Sequence, residues 1–242
     1  MHYVVGDVHG HYRTLLTLVG QLPAGAALIF VGDLIDRGRE SAETVRFVRE
    51  GGHQCVMGNH EAMMVEYGQA LCDAYERGKP LERYNLWYAN GGIETLRSYG
   101  LIRIIDGKPA KVDAFETVLE RFKSDMAWMA GLPLYATPDS LHKANLPVVV
   151  SHAPVGDVWA LRHVQEPGGR FAETALTNRH NPGDDAPIFN IFGHTPRAHA
   201  PIVGSSYVNV DAGCYIDDGS GYGRLCAYCI ESGETVCQAN VG

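Results

Sequence analysis

The chain has 242 residues, 45% of them hydrophobic, with 28 acidic against 20 basic side chains and a formal net charge of −8. That balance excludes a partner gripped by a broad basic surface, because nonspecific binding to a nucleic-acid backbone depends on clustered Lys and Arg. No apolar run approaches the roughly 20 residues of a membrane span, and the opening MHYVVGDVHG lacks the basic flank and long apolar stretch of a secretory signal, so a cytoplasmic chain with one large core is expected.

From the N-terminus, HYVV stops at Gly6 and is followed by Asp7 and His9. Continuous β-rich runs of this length suit strands buried on both faces. HYRTLLTLVGQL then carries apolar residues at helical spacing, and LIFV stops at Gly32 ahead of Asp33, Asp36 and Arg37. Local turn preferences alone would also allow that cluster of charge. A second helical pattern, ESAETVRFVRE, leads to QCVM, which stops at Gly58 before Asn59 and His60. Strand and helix alternate through the first sixty residues, which is an α/β pattern.

Residues 61 to 130 read as mostly helical, through EAMMVEYGQALCDAYERG and VDAFETVLERFKSDMAWMAGL, with Met63, Met64, Met126 and Met129 as core filling. WYANGGIETLRSYG either sets Asn90 near a substrate or ends a helix at its glycine pair. Strands return after Pro138: VVV precedes Ser151 and His152, and FNIF precedes Gly193 and His194. The polar stretch from 156 to 187 is long enough for a functional loop holding a helix. YVNVDAGC, RLCAYCI and ETVCQA read as antiparallel strands, with Asp211 shaping a turn that Gly213 permits.

The six cysteines, Cys55, Cys72, Cys214, Cys226, Cys229 and Cys237, are scattered through a chain large enough to fold without staples, so reduced thiols are expected. CAYC resembles a redox or zinc half-site, but residues three apart on a strand face opposite ways. His2, His11 and His53 read as surface or turn histidines.

Asp7, His9, Asp33, Asn59, His152 and His194 each follow a strand directly. In an open α/β sheet ligands collect beyond the carboxyl ends of strands, so five adjacent strands ending in this way would converge. Three imidazoles, two carboxylates and one amide oxygen, without a thiolate, suit borderline divalent ions. Six ligands that include a carboxylate able to bridge favour two cations over one, and a cation pair stabilises the oxygens of an in-line phosphoryl displacement. The chemistry this points to is hydrolysis of a phosphate ester.

GDVHG, GDLIDRG, GNHE, SHA and GHT, in this order from Gly6 to Pro196, resemble the signature blocks of the calcineurin-like metallophosphoesterases. The DRG and GNHE forms resemble the phosphoprotein phosphatase branch. GNHEAMM, IFGHTP and NGG are most similar to the lambda-phage-type protein phosphatases and the bacterial symmetrical diadenosine tetraphosphatases. The resemblance implies one domain over 1–242, an α/β fold of two facing mixed β-sheets flanked by helices in four αββα layers. It also implies a helical insertion near 62–130 and a substrate-side loop near 156–187.

By position, the resemblance implies that Asp7, His9 and Asp33 hold one divalent metal ion. Asp33, Asn59, His152 and His194 hold the second, with Asp33 as the bridge. Mn is expected, with Fe, Zn or Ni as alternatives, and a hydroxide between the ions is the nucleophile. Asp36 supports His60, which protonates the leaving oxygen. Arg37, Asn59 and Arg179 contact the phosphoryl group, with Arg162 and Arg170 as alternatives to Arg179. The expected substrate is phosphoserine or phosphothreonine in a protein or peptide. A dinucleoside polyphosphate split symmetrically is the alternative, favoured by Met57, which stands where many protein phosphatases carry Arg. A catalytically silent binding module is a third reading, opposed by the presence of His60 and all six ligands. Neither a nucleic-acid-binding surface nor a membrane contact is expected.

Overall fold

In the computed structural model, all residues are described except 82–83, 113–115, 139–141, 165–168 and 217–218. The expected start of the helix in VDAFETVL falls on 113–115, and part of the long loop on 165–168, so both lie outside the described residues. The elements run β1 (His2–Val5), α1 (Tyr12–Val19), β2 (Ala27–Phe30), α2 (Ser41–Glu50), β3 (Gln54–Cys55), α3 (Asn59–Glu76), α4 (Ile93–Ser98), β4 (Ile102–Ile105), β5 (Lys108–Lys111) and α5 (Glu116–Ala130). They continue with β6 (Tyr135–Ala136), β7 (His142–Lys143), β8 (Leu146–Ser151), α6 (Arg170–Thr177), β9 (Phe189–Phe192), β10 (Ile202–Val203), β11 (Tyr207–Asn209), β12 (Arg224–Cys229) and β13 (Thr235–Ala239).

Two mixed sheets form, with strand orders β13-β12-β1-β2-β3 and β10-β11-β9-β8-β6; β7 pairs separately with β8. The five ligand-bearing strands are therefore divided, three in one sheet and two in the other, rather than adjacent in a single sheet. Within each group the pairing is parallel, so the strands end at the same side.

Side-chain alternation along the strands explains the layers. Val4 and Ile29 pack with Val148, Val150, Ile191 and Val208 in an apolar layer between the sheets. Their neighbours Tyr3, Val5, Leu28 and Phe30 face the other way, toward Leu15 and Leu18 of α1, Val45 and Val48 of α2, and Met63 and Met64 of α3. On the second sheet, Val149 and Ile188 meet Phe171 and Ala175 of α6. The result is the αββα order, with Met63, Met64 and Met129 buried and Met126 packed against that core.

The segment expected to be helical from 61 to 130 also contains the hairpin β4–β5. Asp106 and Gly107 turn it, both at positive φ (49° and 72°), which is the backbone that a two-residue hairpin loop requires. Among the described residues no helix is long and apolar enough to cross a membrane.

The expectation of reduced thiols fails at one pair. Cys226 and Cys237 stand directly opposite on β12 and β13 and form a disulfide, with Cα atoms 4.1 Å apart. Cys226 and Cys229 do face opposite sides of β12, as strand geometry demands, so CAYC makes no site of its own. The partner of Cys226 is set by register, which sequence spacing does not announce. Cys55, Cys72, Cys214 and Cys229 are free and buried. Reducing the bond is expected to cost at most about 3 kcal/mol, because the two strands are already paired and the crosslink closes a short loop. Thermal melts with and without reductant should differ by a few degrees in the parent and not in Cys237→Ala; identical melts in the parent would show the bond to be energetically idle.

Candidate active site

The turns after β1, β2, β8 and β9 and the N-terminus of α3 meet in one place. Backbone bonds tie the first two turns together: Val8 and His9 both donate to the Asp33 carbonyl, at 3.1 and 2.9 Å, and Gly10 donates to Leu34 at 2.8 Å. Five of the residues gathered here have positive φ without being glycine: His9 (46°), Asp33 (50°), Asp36 (71°), Arg37 (68°) and His194 (69°). Such conformations cost about 1–3 kcal/mol each and persist only where the surroundings enforce them. Two glycines give the carboxylates room. A Cβ on Gly193 would lie 1.9 Å from Asp7 Oδ1, and one on Gly58 would lie 2.3 Å from Asp33 Oδ1.

The imidazoles are oriented by their outer nitrogens. His9 Nδ1 is bonded to the Ile35 carbonyl and His152 Nδ1 to the Val31 carbonyl, both at 2.9 Å. A carbonyl only accepts, so each ring carries its proton outward and aims the Nε2 lone pair into the site. His152 Nε2, Asn59 Oδ1 and His194 Nδ1 form a triangle with sides of 2.9, 2.9 and 3.0 Å. Ligand atoms about 2.1 Å from one ion and at right angles are separated by about 3 Å. Asp33 turns Oδ1 toward His152 Nε2, at 3.5 Å, and Oδ2 toward His9 and His60 Nε2, at 3.6 and 3.7 Å.

Among the described residues, Asp33–His152–His194 and His9–Asp33–His60 each gather ligand atoms within 4.8 Å of one another. Neither includes Asp7, whose Oδ2 accepts the His194 backbone N–H at 3.1 Å.

Electrostatics favour a cation here. Burial pushes His9 well below the ordinary histidine range, lowers His152, and takes His194 down to about 3, so these rings are neutral near pH 7. Burial alone would raise Asp33, but His152, His60 and His9 more than offset it and hold the carboxyl well below its usual range. Asp7 is pushed well up by burial and by the neighbouring Asp211 and Asp33. Burial also lifts Asp211 to about 7; its Oδ1 accepts the Gly213 N–H at 2.8 Å, making the expected turn. Neutral imidazole nitrogens, crowded carboxylates and an amide oxygen suit divalent cations of borderline character.

Beside this group, His60 Nδ1 lies 2.6 Å from Asp36 Oδ2. Asp36 is fully buried and also accepts from Trp87 Nε1 at 3.0 Å and from Thr95 Oγ1 at 2.6 Å. Burial raises its carboxyl, while bonds from His60, Thr95 and Trp87 draw it back. For His60, burial opposes charge, yet Asp33 and Asp36 outweigh it and raise the ring above the usual range. Its Nε2 faces inward, 3.3 Å from Arg37 Nη2.

The Arg37 guanidinium lies 3.8 Å over the Tyr215 ring. The carbonyl of Gly91, a residue at φ 106°, accepts the Arg37 backbone N–H at 3.4 Å, and a Cβ on Gly91 would sit 2.7 Å from that nitrogen. Gly91 is thus a close approach beneath Arg37, while Gly92 leaves room for the Trp87 ring. Asn90 Nδ2 donates back to the Leu86 carbonyl at 2.8 Å. Trp87, Thr95 and Tyr215 lie outside the signature blocks, and Glu61, the last residue of GNHE, carried no expected role. Glu61 accepts from Asp33, Leu34 and Gly58 N–H groups at 2.8, 2.8 and 3.0 Å, bracing the turn that carries Asp33.

Of the loop arginines, Arg162 stacks 4.6 Å over Trp159 and bonds its carbonyl. Arg170 lines a cavity of about 550 Å³ with Asp157 and Glu173. Arg179 is exposed, and its charge helps depress both His152 and His194. Met57 N donates to the Pro133 carbonyl at 2.8 Å.

A serine/threonine-protein phosphatase 2 of Salmonella typhimurium is 44% identical over 93 residues, 37% of this chain and 38% of the relative. A symmetrical bis(5'-nucleosyl)-tetraphosphatase of Marinomonas is 44% identical over 170 residues, 67% of this chain and 47% of the relative. The matched segments therefore span less than half of each relative's length. A protein serine/threonine phosphatase structure from Saccharomyces cerevisiae aligns with a TM-score of 0.59 at 14% identity, covering 100% of this chain and 80% of that one, which shows a shared fold. The calcineurin-like phosphoesterase family model matches residues 3–198, a stretch that holds every donor described above; the chain belongs to that family.

Proposed function

We propose that the protein is a two-metal phosphomonoesterase acting on phosphoserine and phosphothreonine. The observation that carries this reading is the meeting of the Asp33 donor cluster with His60 and Arg37 at one point. Asp7, His9 and Asp33 would hold one divalent cation and Asp33, Asn59, His152 and His194 the other, with Mn the first choice. When bound, such a pair lowers the pKa of a shared water and stabilises phosphoryl oxygens.

The chain's own groups complete the chemistry. Arg37, lying over the Tyr215 ring, offers a planar pair of donors to the phosphoryl oxygens, and Arg179 adds charge from the loop side. His60 Nε2 faces the site with a proton for the leaving oxygen. Asp36 fixes that ring through Nδ1, and Trp87 and Thr95 fix Asp36.

Manganese-supplemented protein should release phosphate from phosphoserine peptides. A protein that stays inactive on every phosphoester with every divalent ion overturns the reading. Met57 favours a second substrate, a dinucleoside polyphosphate, since an apolar residue stands before GNHE. Release of ADP from diadenosine tetraphosphate would support that alternative, and its absence would remove it.

A further inference from the structure

Arg37 also lines a cavity of about 560 Å³ whose wall carries His11, Arg13, Arg39 and Glu40, a volume within the range of small-molecule sites. The cavity lies where α1 and α2 begin, so the positive ends of two helix dipoles add to three guanidinium groups. Among the described residues, neither Arg37 nor Arg39 is paired with a carboxylate. Arg13 is paired: its Nε lies 2.9 Å from Glu40 Oε1, and its backbone N–H donates to Glu40 Oε2 at 3.1 Å. Arg39 also borders a cavity of about 350 Å³ with Arg103, Arg97 and Glu94, the last two paired with each other at 2.9 Å. In a chain of net charge −8 this is a local excess of the opposite sign. Apart from His11, the lining offers no ring on which a nucleobase would stack.

We propose that this cavity binds a second phosphoryl group of the same substrate, beyond the one being cleaved and sharing Arg37 with it. The proposal rests on the phosphoesterase reading and names its substrate class. A phosphoryl group brings close to two negative charges and three acceptor oxygens, which several arginines match and a lone carboxylate does not. The second group belongs either to a neighbouring phosphorylated side chain or to a polyphosphate chain; the chemistry recognised is the same. Glu40 is the internal competitor, since an incoming phosphoryl group must take the Arg13 donors from it.

The test compares kcat/KM of the manganese-loaded protein on matched substrates. These are a phosphoserine peptide, the same peptide with a second phosphoserine, the same peptide with glutamate at that place, and diadenosine tetraphosphate beside p-nitrophenyl phosphate. A preference for the second phosphate is expected in one arm, and that arm names the source. Arg39→Ser and Arg13→Ser should each cut the preference about tenfold, the scale of one charge-assisted hydrogen bond, while Glu40→Gln should raise it. Arg77→Ser, which removes an arginine outside the cavity, should leave the ratio where it was. No preference in any arm, a preference that survives both arginine changes, or an equal preference for glutamate overturns the proposal. Calorimetric titration with inorganic tripolyphosphate reads the cavity without turnover: weaker binding in Arg39→Ser supports it, and equal binding counts against it. A parent that cleaves no phosphoester removes the enzymatic reading instead, while the titration still judges the cavity.

Discussion

His60→Asn is expected to lower turnover of a phosphoserine peptide by roughly 100- to 10,000-fold, the range for loss of a positioned general acid. Asn keeps the backbone N–H that reaches Asp33 Oδ1 at 3.1 Å, so manganese content should be unchanged by elemental analysis. The serine alkoxide needs a proton to depart, whereas a nitrophenolate leaves without one. The loss should therefore be much smaller on p-nitrophenyl phosphate. An equal loss on both substrates would make His60 a structural support and not a proton donor.

Asp33→Asn should abolish metal-dependent behaviour. Among the described residues its carboxylate is the one negative group turned toward His9, His60 and His152 together, between 3.5 and 3.7 Å from each. At manganese a hundredfold above its dissociation constant, the parent should gain about 2.7 kcal/mol. That corresponds to roughly 5–10 °C in melting temperature for a chain of this size. The variant should show no shift and should lose at least about 100-fold in activity. A normal manganese shift in Asp33→Asn would exclude Asp33 as the bridge.

Much of this arrangement was legible in the sequence, because each donor sits directly after a β-rich run and next to a small residue. HYVV, LIFV, VVV and FNIF all became strands, and their parallel pairing brings the donors to one side. The division into two sheets follows from pairing, which no single run encodes; here it came through the family resemblance. Trp87 and Thr95 looked like ordinary members of a helical stretch, and their roles exist only because that stretch folds over Asp36. Tyr215 reaches Arg37 from far along the chain. The Asp106–Gly107 turn, by contrast, was a readable hairpin signal hidden by the helical patterns on either side. Cys226 and Cys237 meet through strand register alone.

The left-handed backbone at His9, Asp33, Asp36, Arg37 and His194 bears on how such a molecule can evolve. Each of these positions would be relieved by glycine, the residue that accepts this geometry without penalty. At Asp36 glycine would leave the Trp87 and Thr95 donors unmatched, but at Arg37 and His194, which lose fewer bonds, selection for heat tolerance alone would reward replacements that strip out the proposed chemistry. A library of variants sorted first by melting temperature and then by turnover should show the two rankings running in opposite directions at Arg37 and His194, and independently at exposed positions such as Lys79 or Glu120.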